Sequence, residues 1–549
     1  MLTLAVVAAG AILAFRSVYE PDLGWHLAHG REDLAGRLVR TNIFSAAYAD
    51  YPQPFTSWLW ETATYAAWRI SGDAAVQALQ ALIIAAALAL VWTACRVRSA
   101  IVPALAIAVL GFLVIEPRAI PRPHLVSFAG LAAISLLIER AIAQRSAKPL
   151  NWAVPVVILW SNAHVESIFG VALIGMFGLG ECIRPAALAR RDAVRVLLVS
   201  ALCAPGVMMT PYGWQIGRYV VENAAMPQFV SIAELRPAYL PVYRAFMAYA
   251  AIGALLLLSD PRRLTLWESL VALLFGALGF RYLRLTPLIF FATAPLLAAR
   301  LTWLTVRGVD ARAVLVTALA AAALISRLPL IAYVAELRAG QLFPDVVFSP
   351  GAIAFVRETG LGGPMFNSHN LGGWIEWELY PNARVFQDSR MQAYPREHFE
   401  RILDASQSQA SWDRLVSGVD WAMLSLARPN QLSGVGRFPR ESWATVYWDE
   451  AVEIVVRRTG RLAAIAGDRE YVYVTPGVGL GVVAEQMANS SRIAIEAQRQ
   501  AAENPKGFLG VEILCLTGDE RSCAEVDRRA AEDPSLENEA RLVKMLRGK

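Results

Sequence analysis

Residues 101–145 hold two long apolar runs separated by a short polar loop: IVPALAIAVLGFLVIEPRAIPRPHLVSFAGLAAISLLIERAIAQR. Each run approaches the roughly 20 apolar residues that an α-helix needs to cross a bilayer. The same alternation of apolar runs and short loops continues over residues 1–336. This pattern predicts a chain that crosses the membrane many times.

The composition supports this interpretation and divides the chain in two. Of 549 residues, 56% are hydrophobic and 18% are charged, whereas a soluble protein carries about 25% charged residues. Residues 340–549 have ordinary globular composition. The net charge of +5 is spread thinly, without the basic stripe that nucleic-acid binding needs. We expect about eleven spans, at 1–18, 74–95, 99–115, 125–143, 151–165, 167–183, 193–210, 242–259, 264–280, 285–300 and 312–335.

The predicted fold is mainly α: a polytopic transmembrane helical bundle, an extracytoplasmic α/β domain and a short helical tail. The bundle occupies 1–336 and its first outer loop 18–73. The start of the chain lacks a basic region and a cleavage site, so we interpret it as a retained span and not as a signal peptide. Residues 55–70 are apolar but contain Glu61, Arg69 and several aromatic residues, which favours a helix lying at the interface.

The distribution of Lys and Arg predicts the orientation. One alternate set of loops, including 96–98 and 139–150, holds 14 Lys and Arg in 47 residues, and the other set holds 11 in 109 residues. Cytoplasmic loops are the ones enriched in Lys and Arg. The first set is therefore predicted to be cytoplasmic, with the N-terminus inside and the C-terminal domain outside.

The predicted outer face collects the unusual polar residues. Ionisable groups at helix ends in an apolar bundle are costly unless they are paired or bind a ligand. Arg offers phosphate a bidentate fork, and a carboxylate in the same cavity can accept a proton from a hydroxyl. The candidates are Asp22, His26, Arg118, Arg122, His124, His164, Glu166, Arg281 and Arg284.

Simpler roles compete with these. An Arg at a helix end also snorkels to lipid phosphates, and Asn162 and His164 also suit the capping of a tight turn. Asp22 follows a proline and suits the N-cap of a helix beginning near Leu23. His26 and His29 lack a third ligand at clear spacing, so they do not indicate a metal site.

These segments resemble the GT-C superfamily of integral-membrane glycosyltransferases, of the protein mannosyltransferase or aminoarabinose transferase type. The resemblance is carried by Pro21-Asp22, the run Trp25-His26-Leu27 to Gly30, the interfacial helix and the segment Arg118 to Arg122-Pro123-His124. It covers the organisation of roughly residues 1–336. Two adjacent acidic residues are common in that loop, but Leu23 follows Asp22 here.

The resemblance implies an inverting hexosyl or pentosyl transferase. Such an enzyme moves a sugar from a polyprenyl-phosphate carrier to a lipid, glycan or protein acceptor on the outer face of a bacterial inner membrane. Asp22 is then the base, a duty that Glu20 or Glu166 could share, and the basic residues neutralise the departing phosphate. We expect no cofactor; a divalent metal is not supported.

The C-terminal part shows α/β patterns over 345–475, with a helix at 351–358, strands at 364–367, 384–388 and 420–424, and a hairpin of 444–448 and 451–457. The sequence pattern of residues 480–549 predicts amphipathic helices. Polar groups at strand ends are where open α/β sheets bind ligands. Asn367, His369, Asp388 and Arg390 are therefore either an acceptor-binding surface or a turn with a structural Asp–Arg pair.

Cys515 and Cys523 are the two cysteines outside the apolar runs and lie eight residues apart. They are predicted to form a disulfide or to remain free, depending on whether the tail is extracytoplasmic. Rival functions remain for the whole chain: a polysaccharide polymerase or ligase, a transporter of lipid-linked sugars, or a membrane anchor. Transporters tend to show internal repeats and polar groups at the midplane, and neither feature is present in this sequence.

Overall fold

The computed structural model describes residues 20–53, 56–224, 235, 237–238, 243–304, 340–533 and 536–548. These divide into two compact units that are both discontinuous in sequence. Unit 1 comprises Met1–Glu20, His29–Arg40 and Pro52–Leu342, and unit 2 comprises Pro21–Ala28, Thr41–Tyr51 and Phe343–Lys549. The first outer loop therefore contributes to both units. Helix α1, Leu23–Leu34, passes from one to the other.

Unit 1 is helical over most of its described residues. Its helices are α2 Trp58–Arg98, α3 Ile101–Ile115, α4 His124–Gln144, α5 Ala153–Ala163, α6 Ser167–Ile183, α7 Arg190–Gly206, α8 Gln215–Ala224, α9 Arg244–Leu258, α10 Leu266–Arg281 and α11 Thr286–Leu304. Six of the predicted spans, from 99–115 to 285–300, agree with α3, α4, α6, α9, α10 and α11 to within a few residues.

Four helices of the described part are long and apolar enough to cross a membrane: Trp58–Arg98, Ile101–Arg118, His124–Gln144 and Leu283–Leu301. Ser167–Ile183 and Arg244–Leu258 are shorter apolar helices. The predicted spans 1–18 and 312–335 lie outside the described residues. Predicted spans 151–165 and 193–210 correspond to α5, which has 11 residues, and α7, which has 17. Helix α7 begins with charged residues, which shortens its apolar part.

Residues 58–70 of the predicted interfacial stretch and the predicted span 74–95 form a single element, α2, with a break at Ser71 and Gly72. Gly72 has φ of +58°, a conformation that side chains with a Cβ rarely adopt. The break falls where the sequence changes from aromatic and charged residues to an apolar run. Helix α2 therefore changes direction at Ser71 and Gly72, between the end of the predicted interfacial stretch and the start of the predicted span.

Close packing in the interior of unit 1 requires glycine at positions where a helix lies against an aromatic side chain. A Cβ atom on Gly130 of α4 would lie 2.5 Å from the indole of Trp160, and one on Gly170 of α6 would lie 2.7 Å from the same ring. Trp160 is 2% exposed, and its indole N–H donates to Ser127 Oγ at 3.0 Å. These contacts fix the end of α5, where two candidate site residues follow.

Unit 2 contains a four-stranded sheet in the order β1-β2-β4-β3. Its strands are β1 Met365–Asn367, β2 Trp421–Ser425, β3 Trp443–Trp448 and β4 Val452–Arg457. Strands β1 and β2 are parallel, with Met365 opposite Trp421, and β4 pairs antiparallel with β2 and β3. The predicted hairpin is confirmed. Helices α12 Pro350–Thr359, α13 Gly372–Leu379, α14 Arg396–Ala405, α15 Gln409–Leu415 and α16 Ala463–Arg469 belong to the same unit.

The predicted strand at 384–388 is wrong. The backbone N–H of Val385 donates to Phe44 O, and the N–H of Phe386 donates to the side chain of Asn367 at 2.8 Å. A first-loop residue and an asparagine side chain therefore occupy hydrogen-bonding positions that a neighbouring strand would need. One isolated parallel bridge, Ser45 to Val385, forms in place of the strand.

The last part of unit 2 is helical, with α17 Leu480–Glu485, α18 Ser490–Glu503, α19 Leu509–Leu516, α20 Glu520–Glu532 and α21 Glu537–Arg547. Their apolar faces share a core with Trp448 of β3 and with Tyr471. A disulfide joins Cys515 and Cys523, while Cys95, Cys182 and Cys203 are free. The bond links the end of α19 to α20.

Candidate functional site

Asp22 lies just before α1 and belongs to unit 2. Its side-chain Oδ1 accepts a hydrogen bond from the hydroxyl of Ser389, which is 367 residues away in the chain. The start of α1 lies close to α13. A Cβ atom on Gly373 would be only 2.6 Å from the carbonyl oxygen of Pro21. The glycine pair that opens α13 therefore allows a close approach of two backbones, which is a use specific to glycine.

Arg390 is the centre of a buried polar network. Its guanidinium donates to Asp388 at 2.9 Å and 2.7 Å and to Glu376 at 2.7 Å, and all three side chains are at most 1% exposed. The side chain of Asn42, from the first outer loop, accepts from Arg390 at 3.2 Å and donates to Ala393 O at 3.0 Å. The loop segment 41–51 is thus bonded into unit 2.

Aromatic rings of the first loop complete the surroundings of Arg390. The guanidinium carbon lies 5.5 Å from the ring centroid of Trp25 and 5.6 Å from that of Phe44. Such contacts favour a desolvated cation. Both parts of the first loop that belong to unit 2 therefore contact the same arginine.

The pKa values of the two carboxyl groups beside Arg390 are shifted in opposite directions. Burial would raise the pKa of Asp388, but the attraction of Arg390 and hydrogen bonds from Arg390, Glu376 and Tyr394 outweigh it, so this pKa lies below its ordinary value. Burial raises the pKa of Glu376 well above its ordinary value, since Arg390 does not outweigh burial and the repulsion of Asp388. The site therefore favours the ionised form of Asp388, paired with Arg390, and the protonated form of Glu376.

Asn367 is the last residue of β1 and His369 follows the strand, and their side chains have different surroundings. The amide of Asn367, which is completely buried, donates to Gln387 O at 2.7 Å and accepts from the backbone of Phe386. The Nδ1 atom of His369 is buried and has no hydrogen-bond partner among the described residues. Burial lowers the pKa of His369, and the carboxylates of Asp388 and Asp22 offset this in part. We therefore expect a neutral imidazole at pH 7, within electrostatic reach of Asp22.

Three of the four residues predicted as an acceptor surface are therefore internal. Asn367, Asp388 and Arg390 are at most 1% exposed and bond to unit 2 itself. Their geometry matches the alternative prediction, a turn stabilised by an Asp–Arg pair. Among these four residues, His369 differs because its buried Nδ1 atom has no hydrogen-bond partner within the described ranges.

Unit 1 holds a second cluster in the turn between α5 and α6. His164 Nδ1 lies 2.8 Å from Ser127 Oγ and 3.3 Å from Glu166 Oε2, and Glu166 Oε1 lies 3.7 Å from an Arg284 nitrogen. His164 and Glu166 are buried. Ser127 links His164 to the indole of Trp160. Three of the predicted residues, His164, Glu166 and Arg284, are thus brought together.

The basic groups of this cluster lower the pKa of the carboxyl group at its centre, Glu166. Burial would raise the pKa of Glu166, but the neighbouring His164, Arg284 and His124 outweigh it and lower the pKa to about 2. Glu166 is therefore ionised at neutral pH. A buried carboxylate held among basic groups fixes their positions, which is a way to preorganise cations before a ligand binds.

The remaining basic candidates of unit 1 are held at the α3–α4 connection, except for Arg281. His124 Nε2 lies 2.7 Å from Arg118 O, and Arg122 donates to Glu20 at 2.7 Å. Glu20 and Arg118 are buried, at 2% and 6% exposed. Arg281 is exposed and stacks over the ring of Tyr282 at 4.6 Å.

Two further candidates have contacts that suggest packing. His26 is 2% exposed in α1, and its ring centroid lies 3.6 Å from that of Trp25. Asn162 accepts from the Trp58 indole and donates to Ile158 O and Met209 O, each at 2.8 Å. These bonds join the end of α5 to Trp58 of α2 and to Met209, which follows α7. Over the described residues, no group of three or more His, Cys, Asp or Glu has the geometry to hold a metal ion.

Sequence reasoning missed Ser389, Glu376 and Ser127. Ser389 stands between Asp388 and Arg390, both of which the sequence singled out, so its neighbours were the available signal. Glu376 and Ser127 lie within apolar helical stretches. A charged or hydroxyl residue inside such a stretch needs a buried partner, but the sequence does not say which one.

The fold that carries these two clusters is of the GT-C type, so the resemblance carried by the first loop is confirmed for the fold. The archaeal oligosaccharyltransferase AglB from Archaeoglobus fulgidus, in complex with an inhibitory peptide and a dolichol-phosphate, is similar with a TM-score of 0.56 at 12% identity, over 77% of this chain and 69% of that chain. The apo form of the Archaeoglobus fulgidus oligosaccharyltransferase gives a TM-score of 0.53 at 12% identity over the same shares. No protein-family model and no curated protein matches the chain.

Proposed function

We propose that this protein is an inverting membrane glycosyltransferase that moves a sugar from a polyprenyl-phosphate carrier to an acceptor on the outer face of a bacterial inner membrane. The observation that carries the proposal is Asp22, anchored by Ser389 at the start of the first-loop helix, in a chain with the fold of an oligosaccharyltransferase. That neighbour was crystallised with a dolichol-phosphate, which favours a lipid-linked donor here.

The carrier lipid has apolar surface available in unit 1. A cavity of about 600 Å³ lies between α9, α10 and α11, and its lining is mostly apolar, with Gly253, Gly276, Leu273 and Leu297 among the lining residues. Small residues on facing helices open room for a chain of isoprene units, which buries well in such a surface. We propose this cavity for part of the polyprenyl tail.

The basic residues of unit 1 are proposed to bind the phosphate. Arg284 is oriented by Glu166, and Arg118, Arg122 and His124 lie at the α3–α4 connection. When the bond between the anomeric carbon and the phosphate breaks, negative charge grows on the leaving oxygens. Preorganised cations stabilise that charge most strongly in the transition state. Arg281 is proposed as a peripheral member of this set, and His26, which belongs to unit 2, is proposed separately as a phosphate-binding residue.

Asp22 is proposed as the general base. As the acceptor group attacks the anomeric carbon, its proton passes to Asp22, and the bonding electrons of the leaving oxygen pass to the phosphate. A single displacement inverts the configuration at that carbon. We propose His369 as an acceptor-binding residue, since its buried Nδ1 atom has no hydrogen-bond partner in the part of the chain that the structure describes. Asn367, Asp388 and Arg390 are proposed to support it from behind and not to touch the acceptor.

The test is transfer by the purified protein. Protein in lipid vesicles is incubated with radiolabelled polyprenyl-phosphate sugars and a membrane extract as the acceptor source. We expect labelled product from the wild type and none from Asp22→Asn. Asp50→Asn is the matched control, because Asp50 is an exposed carboxylate in the same loop. Substantial transfer by Asp22→Asn would remove Asp22 from the base role; movement of labelled lipid across the vesicle membrane without transfer would indicate a transporter.

We propose that the N-terminus is cytoplasmic and that unit 2 is extracytoplasmic. The disulfide between Cys515 and Cys523 supports this orientation, because disulfides persist in oxidising compartments and are rare in the cytosol. A C-terminal fusion to a reporter that is active only in the cytosol should stay silent. A strong signal would reverse the orientation and with it the proposed location of the reaction.

A further inference from the structure

Ser389 is the residue of the C-terminal part that reaches the first-loop carboxylate. Its hydroxyl donates to Oδ1 of Asp22. The neighbours of Ser389 on either side, Asp388 and Arg390, are almost completely buried and paired with each other. A serine placed between two such residues has little freedom to move its backbone.

The conformation of this short loop is set by the carboxylate of Asp388. The backbone N–H and the Nε of Arg390 donate to Asp388 Oδ1 at 2.7 Å and 2.9 Å, and the hydroxyl of Tyr394 donates to Oδ2. A carboxylate that accepts from its own chain two residues on closes a tight turn. Ser389 is the residue at the apex of that turn.

Packing also fixes the position of Asp22, which accepts the hydrogen bond from Ser389. The start of α1 lies against the start of α13, where a side chain on Gly373 would collide with Pro21 O and with Trp25. Trp25 in turn lies over the guanidinium of Arg390. Donor and acceptor of the Ser389–Asp22 hydrogen bond are therefore both fixed by packing, and the bond selects one orientation of the carboxylate.

We propose that Ser389 is a positioning residue for Asp22: by anchoring Oδ1 it fixes the direction of Oδ2, the oxygen that receives the proton of the acceptor. The inference rests on the proposed function of Asp22. In the step concerned, the O–H or N–H bond of the acceptor breaks and its proton forms a bond with Oδ2. The acceptor atom bonds to the anomeric carbon, and the carrier phosphate leaves with the electron pair. General-base efficiency depends on such geometry before it depends on basicity.

The activity test compares three variants under steady-state conditions. Ser389→Ala should lower kcat about 10- to 100-fold, as expected when a misplaced base costs near-attack geometry, and leave the KM for the donor within about twofold. Ser389→Thr keeps the hydroxyl and should restore most of kcat. Thr445→Val is the control, because it removes a hydroxyl-to-carboxylate hydrogen bond of the same kind, to Glu453, elsewhere in unit 2, and it should leave kcat unchanged.

A double-mutant cycle on stability tests the bond itself, whatever the activity of the protein. Ser389→Ala should lower the melting temperature in the wild-type background and have no further effect in Asp22→Ala. If Asp22→Asn transfers sugar normally while the cycle shows coupling, the general-base assignment fails and the bond is structural. The proposal is overturned if Ser389→Ala keeps kcat within about twofold, if Ser389→Thr is as slow as Ser389→Ala, or if the cycle is additive.

Discussion

A methyl group on Gly24 would lie 2.2 Å from the carbonyl oxygen of Gly373. The first turn of α1 and the first turn of α13 therefore meet backbone to backbone, with no room for a side chain on either residue. This approach brings the carboxylate that precedes α1 to the hydroxyl that follows α13 in the chain. The contact joins the segment Pro21–Ala28 of the first outer loop to the rest of unit 2.

Gly24→Ala should separate these two helices. The added methyl meets main-chain atoms, which cannot rotate away, so the expected loss of folding stability is about 1–3 kcal/mol or more. Transfer activity should fall with it, because Asp22 moves relative to Ser389. Gly36→Ala is a poor control, since Gly36 has φ of +79°; Gly467→Ala in α16 serves, because a Cβ there meets nothing within 4 Å. Equal melting temperatures for Gly24→Ala and Gly467→Ala would contradict the prediction.

Arg284→Met tests the phosphate-binding role of the unit 1 cluster. Loss of a charged hydrogen-bond donor to phosphate corresponds to about 1.5–3 kcal/mol, roughly a tenfold to hundredfold fall in kcat/KM for the donor. Arg281→Met is the comparison, because Arg281 is exposed and stacks on Tyr282, and it should have a smaller effect. Donor titrations with both variants give the measurement. Equal losses would assign the two arginines the same role.

Stability should depend on pH through Glu376. Its pKa is raised in the folded state, so its contribution is present in full at low pH and is lost as pH rises through the folded pKa. Glu376→Gln mimics the protonated form and should reduce the fall in melting temperature that accompanies a rise in pH. The stability contribution of Asp388 depends on pH in the opposite direction. Its pKa is lowered in the folded state, so this contribution is lost only in acid. An unchanged alkaline profile in Glu376→Gln would show that this carboxyl is ionised in the folded protein.

His369→Phe tests acceptor binding. The phenyl ring keeps the edge contact with Phe399, whose centroid lies 5.7 Å away, but removes the buried nitrogen. We expect the KM for the acceptor to rise about tenfold, the equivalent of one hydrogen bond, with the KM for the donor unchanged. His398→Phe removes another buried imidazole, stacked on Tyr394 at 4.8 Å, and controls for core disruption. A rise in the donor KM instead would move His369 to the phosphate.

The disulfide gives a prediction about thiol counting. Alkylation of the unfolded, unreduced protein should label Cys95, Cys182 and Cys203 and leave Cys515 and Cys523 unlabelled. Reduction should expose the remaining two. Mass spectrometry of protein taken directly from membranes distinguishes the outcomes. Five labelled cysteines without reduction would mean that the tail is kept in a reducing compartment.

Much of unit 1 follows from the sequence, because apolar run length and loop charge are properties of single segments. Six predicted spans agree with helices, and Asp22, His164, Glu166 and Arg284 were all identified from the sequence as candidates. The strand at 384–388 failed for a nonlocal reason: Asn367 and Phe44, both distant in sequence, occupy its hydrogen-bonding groups. A pattern of alternating residues does not show which distant groups will form hydrogen bonds with the backbone of that segment.

The partners of the candidate residues were harder to predict than the residues themselves. Asp22 has a recognisable loop around it, but its bond to Ser389 joins positions 367 residues apart. Glu376 was not identified, because a single carboxyl in an aromatic helix gives no hint that it is protonated. Asp388 and Arg390 were found, and their pairing with each other was among the predicted alternatives.

The bonding of Asn42 and Phe44 to residues near Arg390 has a consequence for biosynthesis. Residues 41–51 leave the ribosome more than three hundred residues before residues 385–393, to which they bond. The early loop must therefore wait, without its final partners, while every later helix of the bundle is synthesised. Unit 2 can therefore be completed around this loop only once residues 385–393 have been synthesised, and a chain cut short before Val385 would lack these partners.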